Sequence, residues 1–301
     1  MTDRPRISVL IITYRRLDEV QGVLENVLAL QPAPDEIILY DDDPAGSAQS
    51  VIPVDDPRIH YVCRQHNFGP AGARNRAAEM ATGDILLFID DDCRFASTAV
   101  CQMVLDLFAD TSIAFLAFLI RNAFTGAITP HEYPGYQVHG WERPHEVSYF
   151  VASGFAIRRT VFEEVGGFDE ALYHGEEELD LSLRILDAGW RMWYTPELLV
   201  HHRVSPLGRD TIHRIYQLTR NRLYLAGKHL PWPYLLSHLL IWGGFIFLKA
   251  VRQRQLPELW RGLRSVRADK LWSRALSYRQ AHPMKRETLA YLQRNEGRLW
   301  Y

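Results

Sequence analysis

The sequence predicts an α/β fold: a mixed, mainly parallel sheet with helices on both faces, followed by a C-terminal helical extension. Three observations predict it. Short apolar, β-branched runs alternate with segments of helical spacing through the first two hundred residues, as strands joined by crossover helices do. Two of those runs end in aspartate triplets, Ile37-Ile38-Leu39-Tyr40-Asp41-Asp42-Asp43 and Ile85-Leu86-Leu87-Phe88-Ile89-Asp90-Asp91-Asp92. The charge also changes sign along the chain. Lys249 to Tyr301 carries 13 Lys/Arg against 4 Asp/Glu, whereas the residues before it carry 21 against 32.

The elements follow in order. Ile7 to Thr13 reads as a first buried strand, and Leu17 to Leu30 as a helix with Val20, Leu24, Val27 and Leu28 on one face. Gln31-Pro32-Ala33-Pro34 ends that helix before a second strand, Glu36 to Tyr40, and a third, Ile59 to Cys63. Ala71 to Ala81 is helical and Thr82-Gly83-Asp84 closes it, leading into the strand Ile85 to Ile89. A helix from Ser97 to about Phe108 and an apolar strand, Ile113 to Ile120, come next. Thr125 to Glu146 is rich in Gly, Pro, His and aromatics and lacks periodicity, which suits a functional loop or lid. Val147 to Ile157 returns to strand, Thr160 to Val165 is a short helix ended by Gly166-Gly167, and Glu177 to Ala188 is a longer one stopped by Gly189. Arg191 to Tyr194 and Leu198-Leu199-Val200 read as strand. Residues 1–205 form the expected catalytic domain and 206–301 the basic, helical extension.

Composition narrows the class. At 47% hydrophobic and 23% charged residues the chain is globular. Cys63, Cys93 and Cys101 have neither zinc nor redox spacing and suit a reducing compartment. Met1 to Arg6 is polar and runs straight into a strand, so no secretory signal is expected and the chain is placed in the cytoplasm. The basic, Trp-bearing tail beside the apolar run Pro231 to Leu248 points to an anionic surface, with the inner membrane face as leading candidate. No nucleic-acid motif accompanies that charge, so no nucleic-acid partner is expected. The run is 18 residues, just short of the about 20 needed to span a bilayer. Gly243-Gly244 and its flanking prolines favour an in-plane or hairpin-like contact, with a span and a buried core helix as alternatives. The C-terminal helices also offer a surface for a homodimer.

Chemistry concentrates at the strand ends. Like charges crowded at the end of a buried strand are costly unless a cation or donors compensate, and ligands of open α/β sheets bind beyond the carboxyl strand ends. Thr13 and Tyr14 end the first strand, next to Arg16, and can hydrogen-bond or stack on a base. Asp42 can accept the N3–H of uracil or thymine. The loop Asn67 to Asn75 opens a helix whose amides, with the forked donor Arg74, suit a phosphate or a sugar hydroxyl. Asp90, Asp91 and Asp92 offer the hard oxygen ligands that Mn²⁺ or Mg²⁺ takes together with phosphate and water. Gly175 to Arg184 opens a helix with four acids in five residues, more than the helix dipole requires. A carboxylate there is placed to deprotonate a hydroxyl. His201-His202 ends the strand-like run before it and can bring imidazole to the same metal.

Taken together these residues resemble the inverting glycosyltransferases of family 2, which have the Rossmann-like GT-A fold of the nucleotide-diphospho-sugar transferases. The resemblance runs from about Ile7 to Ser205. It rests on Ile12-Thr13-Tyr14-Arg15-Arg16, Tyr40 to Asp43, the Asn67 to Asn75 loop, Phe88 to Asp92, Ser153-Gly154, Gly166 to Glu170, Glu177 to Leu181 and Pro196 to His201. It implies that Thr13, Tyr14, Arg16, Asp42, Arg74, Asp90 and Asp91 surround the nucleotide, and that Asp92 and His201 hold the metal. The base is then Glu178, standing where the family has aspartate, with Glu177 as its rival. Trp141, Ser153, Gly154 and Asp180 are expected on the acceptor or lid side. Arg15 in place of asparagine and Asp43-Pro44 in place of small residues are further departures. The implied donor is a UDP- or dTDP-sugar, and the implied acceptor a lipid-linked or envelope saccharide. A nucleotidyltransferase is disfavoured because Thr13 to Val20 lacks a Gly-rich, Lys/Arg-bearing loop. A catalytically silent scaffold is the other alternative.

Overall fold

The computed structural model describes residues 4–53, 56–128, 133–134, 140–204 and 214–295. Its sheet is built from β1 (Ile7–Thr13), β2 (Glu36–Asp41), β3 (Ile59–Cys63), β4 (Ile85–Asp90), β5 (Cys93–Phe95), β6 (Ile113–Asn122), β7 (His145–Glu146), β8 (Gly154–Arg158) and β9 (Arg191–His202). The order is β3-β2-β1-β4-β8-β6-β9-β5, with β7 also on β9. β1 to β4 are mutually parallel and β6 runs parallel to β9, while β5, β7 and β8 pair antiparallel. The sheet is therefore mixed, and its parallel half is the N-terminal one that carries the aspartate triplets.

Strand periodicity produces two cores. Leu10, Ile38, Tyr40, Leu86 and Phe88 point to one face, where they meet α2 (Gly69–Met80), α4 (Arg159–Glu164) and α5 (Glu177–Asp187). Val9, Ile11, Ile37, Leu39, Leu87 and Ile89 point to the other, against α1 (Leu17–Leu28) and α3 (Val100–Leu107). Alternate residues of a strand face opposite sides, so each continuous apolar run feeds both layers. The apolar face of α2 is alanine (Ala71, Ala73, Ala77 and Ala78), which lets its axis lie close to β1 and β2.

Two strand expectations change. Arg191 to Tyr194 and Leu198 to Val200 are one strand, β9, with a register shift against β6 between Phe118 and Leu119. Pro196 lies in that irregularity, where a missing N–H does least harm. The strand expected from Val147 begins only at Gly154, because Val147 continues the pairing of β7 with β9 and the chain joins β4 only near Ser153. Val147 N–H donates to Met192 O at 3.0 Å and Asp90 N–H to Ser153 O at 3.3 Å.

The C-terminal helices α6 (Arg214–His229), α7 (Trp232–Arg252), α8 (Leu256–Ala268), α9 (Leu271–Ala281) and α10 (Arg286–Arg294) pack on the α5 side. Asn221 Nδ2 on α6 donates to the carbonyls of Leu172, His174 and Gly175, bracing the turn before α5. Lys228 Nζ lies 2.7 Å from Asp169 Oδ2 and 2.6 Å from Asp180 Oδ1, all three buried. α7 is one continuous helix through Gly243-Gly244, so the hairpin form of a membrane contact is set aside. Leu235, His238, Ile246 and Ala250 are its buried face, while Leu236, Leu240, Ile241, Phe245 and Leu248 are exposed, Leu240 by 79%.

Candidate active site

A cavity of about 930 Å³ opens at the carboxyl ends of β1, β2 and β4. β4 delivers Asp90, Asp91 and Asp92, β1 delivers Thr13, Tyr14 and Arg16, and β2 delivers Asp42. Asn67, Gly69, Pro70 and Arg74 come from the loop and first turns of α2, Ser153 from the segment before β8, and Glu177 and Glu178 from the start of α5. Residues far apart in sequence thus face one space because three parallel strands stop at the same level.

The crowded carboxylates are compensated individually. Arg74 Nη2 lies 2.7 Å from Asp90 Oδ1. Arg16 Nη1 lies 2.8 Å from Asp91 Oδ1 and 3.2 Å from Asp92 Oδ2. Thr13 Oγ1 donates to Asp91 Oδ2 at 2.7 Å. Both oxygens of Asp91 are therefore engaged by the protein. Even so, burial pushes its carboxyl up to about 6 against the pull of Arg16. The expected nucleotide contacts Thr13 and Asp91 thus brace one another at the cavity wall.

Asp42 has two tasks. Its oxygens accept the N–H groups of Phe68 at 2.8 Å and Gly69 at 2.9 Å, capping α2 from the neighbouring strand. Burial still raises its carboxyl to about 6. Gly69 has φ +71°, and a Cβ there would fall 2.5 Å from the Tyr173 ring, so only glycine lets the loop pass beneath that ring. Tyr173 Oη in turn donates to Asn67 Oδ1 at 2.7 Å.

The two rival glutamates differ sharply. Glu177 is 2% exposed, and burial beside Glu178 pushes its carboxyl well above the usual carboxylate range. Glu178 is half-buried on the cavity wall. Both line the cavity, and Glu178 is the more open of the two to anything bound there.

The histidine expected to approach the metal is corrected. His201 does not line the cavity, while His202 does, with Nε2 3.5 Å from Asp92 Oδ1. Neighbours on a strand point to opposite faces, and His202 pairs with Cys93 on β5, directly after the triplet. One ligand atom each from Asp92, Cys93 and His202 lies within 4.8 Å of the others. Carboxylate and imidazole fit Mn²⁺ or Mg²⁺. The Cys93 thiol, pushed well above its usual range by burial and the three aspartates, is a poor partner for a hard ion.

Three further expectations are corrected. Asp180 is fully buried away from the cavity, held by Arg184 at 2.6 Å as well as by Lys228 and His229, because it sits on the inner face of α5. Gly154 packs against Val200, where a Cβ would fall 2.7 Å from Cγ2, so it serves strand packing beside Ser153. Trp141 packs on the sheet core, with the Arg121 guanidinium 4.7 Å over its ring and its carbonyl accepting from Tyr194 Oη at 2.8 Å. Residues 129–132 and 135–139 of the expected lid lie outside the described residues. Sequence reading missed Tyr173, His174 and Gln217, which also line the cavity. His174 adjoins the acidic turn and was within reach of a motif reading; Gln217, on α6, had no signal at all.

The comparisons with known proteins agree with this geometry. The chain is 31% identical over 194 residues to the pre-mycofactocin glycosyltransferase of Mycobacterium tuberculosis, covering 62% of this chain and 40% of that one. It is 33% identical over 117 residues to the N-acetylglucosaminyl-diphospho-decaprenol L-rhamnosyltransferase of the same species, covering 38% and 36%. The chain thus spans about two fifths of the length of these relatives. The solved structure of GalNAc-T7 with UDP, GalNAc and Mn²⁺ superposes with a TM-score of 0.66 at 17% identity, over 99% of this chain and 59% of the other. That of the mannosyltransferase PcManGT from Pyrobaculum calidifontis with GDP-Man and Mn²⁺ gives 0.58 at 18%, over 98% and 85%. These two share the fold, which is the GT-A-like architecture expected from the sequence. The family model described as glycosyl transferase family 2 matches residues 8–166, over half of the sequence, and the chain belongs to that family.

Proposed function

We propose that the protein is an inverting glycosyltransferase that moves a sugar from a nucleoside diphosphate to an acceptor hydroxyl. One observation carries the reading: the second aspartate triplet, Arg74, Arg16 and Glu178 converge on a single cavity at the ends of parallel strands. Their mutual pairing does not remove the cost of crowding so many ionisable groups around an open space, which folding alone does not require. Tyr14 and Asp42 flank the nucleoside, and Asp90 and Arg74 lie toward the sugar diphosphate. UDP- and dTDP-sugars are the proposed donors, because Asp42 can accept from either pyrimidine.

In a single displacement Glu178 accepts the acceptor's proton as its oxygen bonds to the anomeric carbon. The bond from that carbon to the diphosphate oxygen breaks with inversion, and the diphosphate leaves with the electron pair. Asp92 and His202 are placed to hold Mn²⁺ or Mg²⁺, which when bound supplies Lewis-acid neutralisation of the leaving diphosphate. Arg16, already against Asp91 and Asp92, adds fixed positive charge at the same place.

We place the acceptor at the membrane surface. The 21-residue helix α7 presents an apolar face to the exterior, and α8 adds exposed Leu256, Trp260 and Leu263. Exposed Arg252, Arg254, Arg261 and Arg264 accompany them and suit anionic headgroups. Because the opposite face of α7 is packed on α6 and α8, an in-plane seat fits better than a span. The named activity of the decaprenol-linked relative makes a lipid-linked saccharide the first acceptor to try.

Incubation with UDP-hexoses and dTDP-rhamnose, Mn²⁺ and a lipid-extract acceptor tests the reading. Release of nucleoside diphosphate with a new glycoside of inverted configuration is expected. Release of pyrophosphate from a nucleoside triphosphate would instead identify a nucleotidyltransferase, and no turnover of any donor a silent binder.

A further inference from the structure

Glu177 stands apart from the other carboxyls of the cavity wall. Its Oε2 is buried and has no hydrogen-bond partner among the described residues. Arg74, whose positive charge acts on it, is already engaged by Asp90 at 2.7 Å. A buried, unpaired carboxylate costs far more than a buried, unpaired acid. Burial and the neighbouring Glu178 therefore hold the Glu177 carboxyl well above the usual carboxylate range, in the direction that favours the acid form. A protonated carboxyl is one O–H donor with acceptor capacity to spare. A buried polar atom left unsatisfied in a cavity wall calls for a partner that arrives with the ligand.

Its position says which ligand. Glu177 and Glu178 are consecutive on α5, so they point about 100° apart around the helix. Glu178 is half-buried, whereas Glu177 is 2% exposed; the charge of Arg74, which pairs with Asp90 of the triplet, is felt by both, and by Glu177 the more. On the reading above, Arg74 and Asp90 lie toward the sugar diphosphate, so the carboxyl buried near Arg74 belongs to the donor side of the cavity. Resting on the glycosyl-transfer reading above, we infer that Glu177 is a specificity-determining residue that donates a hydrogen bond to a hydroxyl oxygen of the transferred sugar. Glu178 alone is then the base. Donor sugars lacking the matching hydroxyl leave the acid unpaired and are rejected.

Two measurements on the full chain test this. The first is an infrared comparison of wild type and E177Q at neutral pH without any ligand. Loss of a carboxylic-acid carbonyl band in E177Q is expected; loss of a carboxylate band overturns the inference. The second is steady-state kinetics on whichever donor of the panel wild type uses. E177Q, whose amide still donates, is expected to lose only about threefold in kcat/KM, and E177A ~10- to 100-fold, mainly through KM for the donor. E178Q is expected to lose kcat instead. An E177Q as depleted in kcat as E178Q would make Glu177 a base and overturn the inference. Wild type that turns over no donor overturns the glycosyl-transfer reading, while the infrared band, needing no turnover, still decides for or against Glu177.

Discussion

Asp92, the proposed metal ligand, is placed where folding alone gains least from a carboxylate. It is buried among like charges, and Arg16, shared with Asp91, is its cation at 3.2 Å. On the proposed function, Asp92→Asn should lower the transfer rate by at least ~10²-fold, since it removes charge proposed to act at the leaving diphosphate. It should also abolish the rise in melting temperature on adding Mn²⁺, while the metal-free protein melts no lower than wild type. A variant that melts well below wild type would make Asp92 structural instead. Asp42 gives a pH signature. Its folded value of about 6 lies above the unfolded value of about 3.9. The neutral form is thus favoured by folding, and that stability is full below about pH 4 and lost as pH rises through 6. A nucleobase donating to the ionised carboxylate recovers it. UDP should therefore raise the melting temperature more at pH 7.5 than at pH 5; an equal shift at both would argue against a base at Asp42.

At the scale of elements, α5 matters most, because its first turn carries both glutamates and its inner face is clamped by α6. Asp180 is fully buried and held by Arg184, Lys228 and His229, whose charges pull its carboxyl well below the usual range. Folding therefore favours the ionised form. That stability is present above the unfolded value of about 3.9 and is lost only as pH falls through the lower folded value. Removing one partner of such a buried group costs about 3–5 kcal/mol. Lys228→Met should destabilise the protein by that order, with the deficit constant from pH 8 to pH 5 in chemical denaturation. A loss under 1 kcal/mol would mean the clamp is dispensable. The sequence showed α5 and its acidic turn plainly, from periodicity and the stop at Gly189. It could not show that Asp180 turns inward, since two of its three partners, Lys228 and His229, lie on α6, about fifty residues on.

For the whole molecule the question is what the C-terminal third is for. Removing everything after Lys228 is a poor test, because α7, α8 and α9 pack on α6 and α10 reaches back to α5, Thr288 Oγ1 donating to Asp187 Oδ1 at 2.8 Å. Leu240 and Leu248 are better probes, being 79% and 68% exposed on the outer face of α7. The double variant Leu240→Glu/Leu248→Glu should keep the wild-type melting temperature and lose recruitment to anionic vesicles. It should keep turnover of a soluble acceptor while losing that of a lipid-linked one. Undiminished vesicle binding would remove α7 from the membrane contact.

What could be known before any coordinates was whatever short-range patterns encode. Alternation of apolar runs announced strands and helices, and charge clustered at strand ends marked the edge where a ligand belongs. A named family followed from the order of those clusters. Folding settled the matters that depend on residues distant in sequence. His202, not His201, faces Asp92, because the register of β9 against β5 fixes which neighbour turns inward. Thr13 and Asp91 support each other across two strands, and Gln217 arrives at the cavity from a helix with no motif to announce it. Side-chain direction and pairing between strands are long-range properties, and no local spacing contains them.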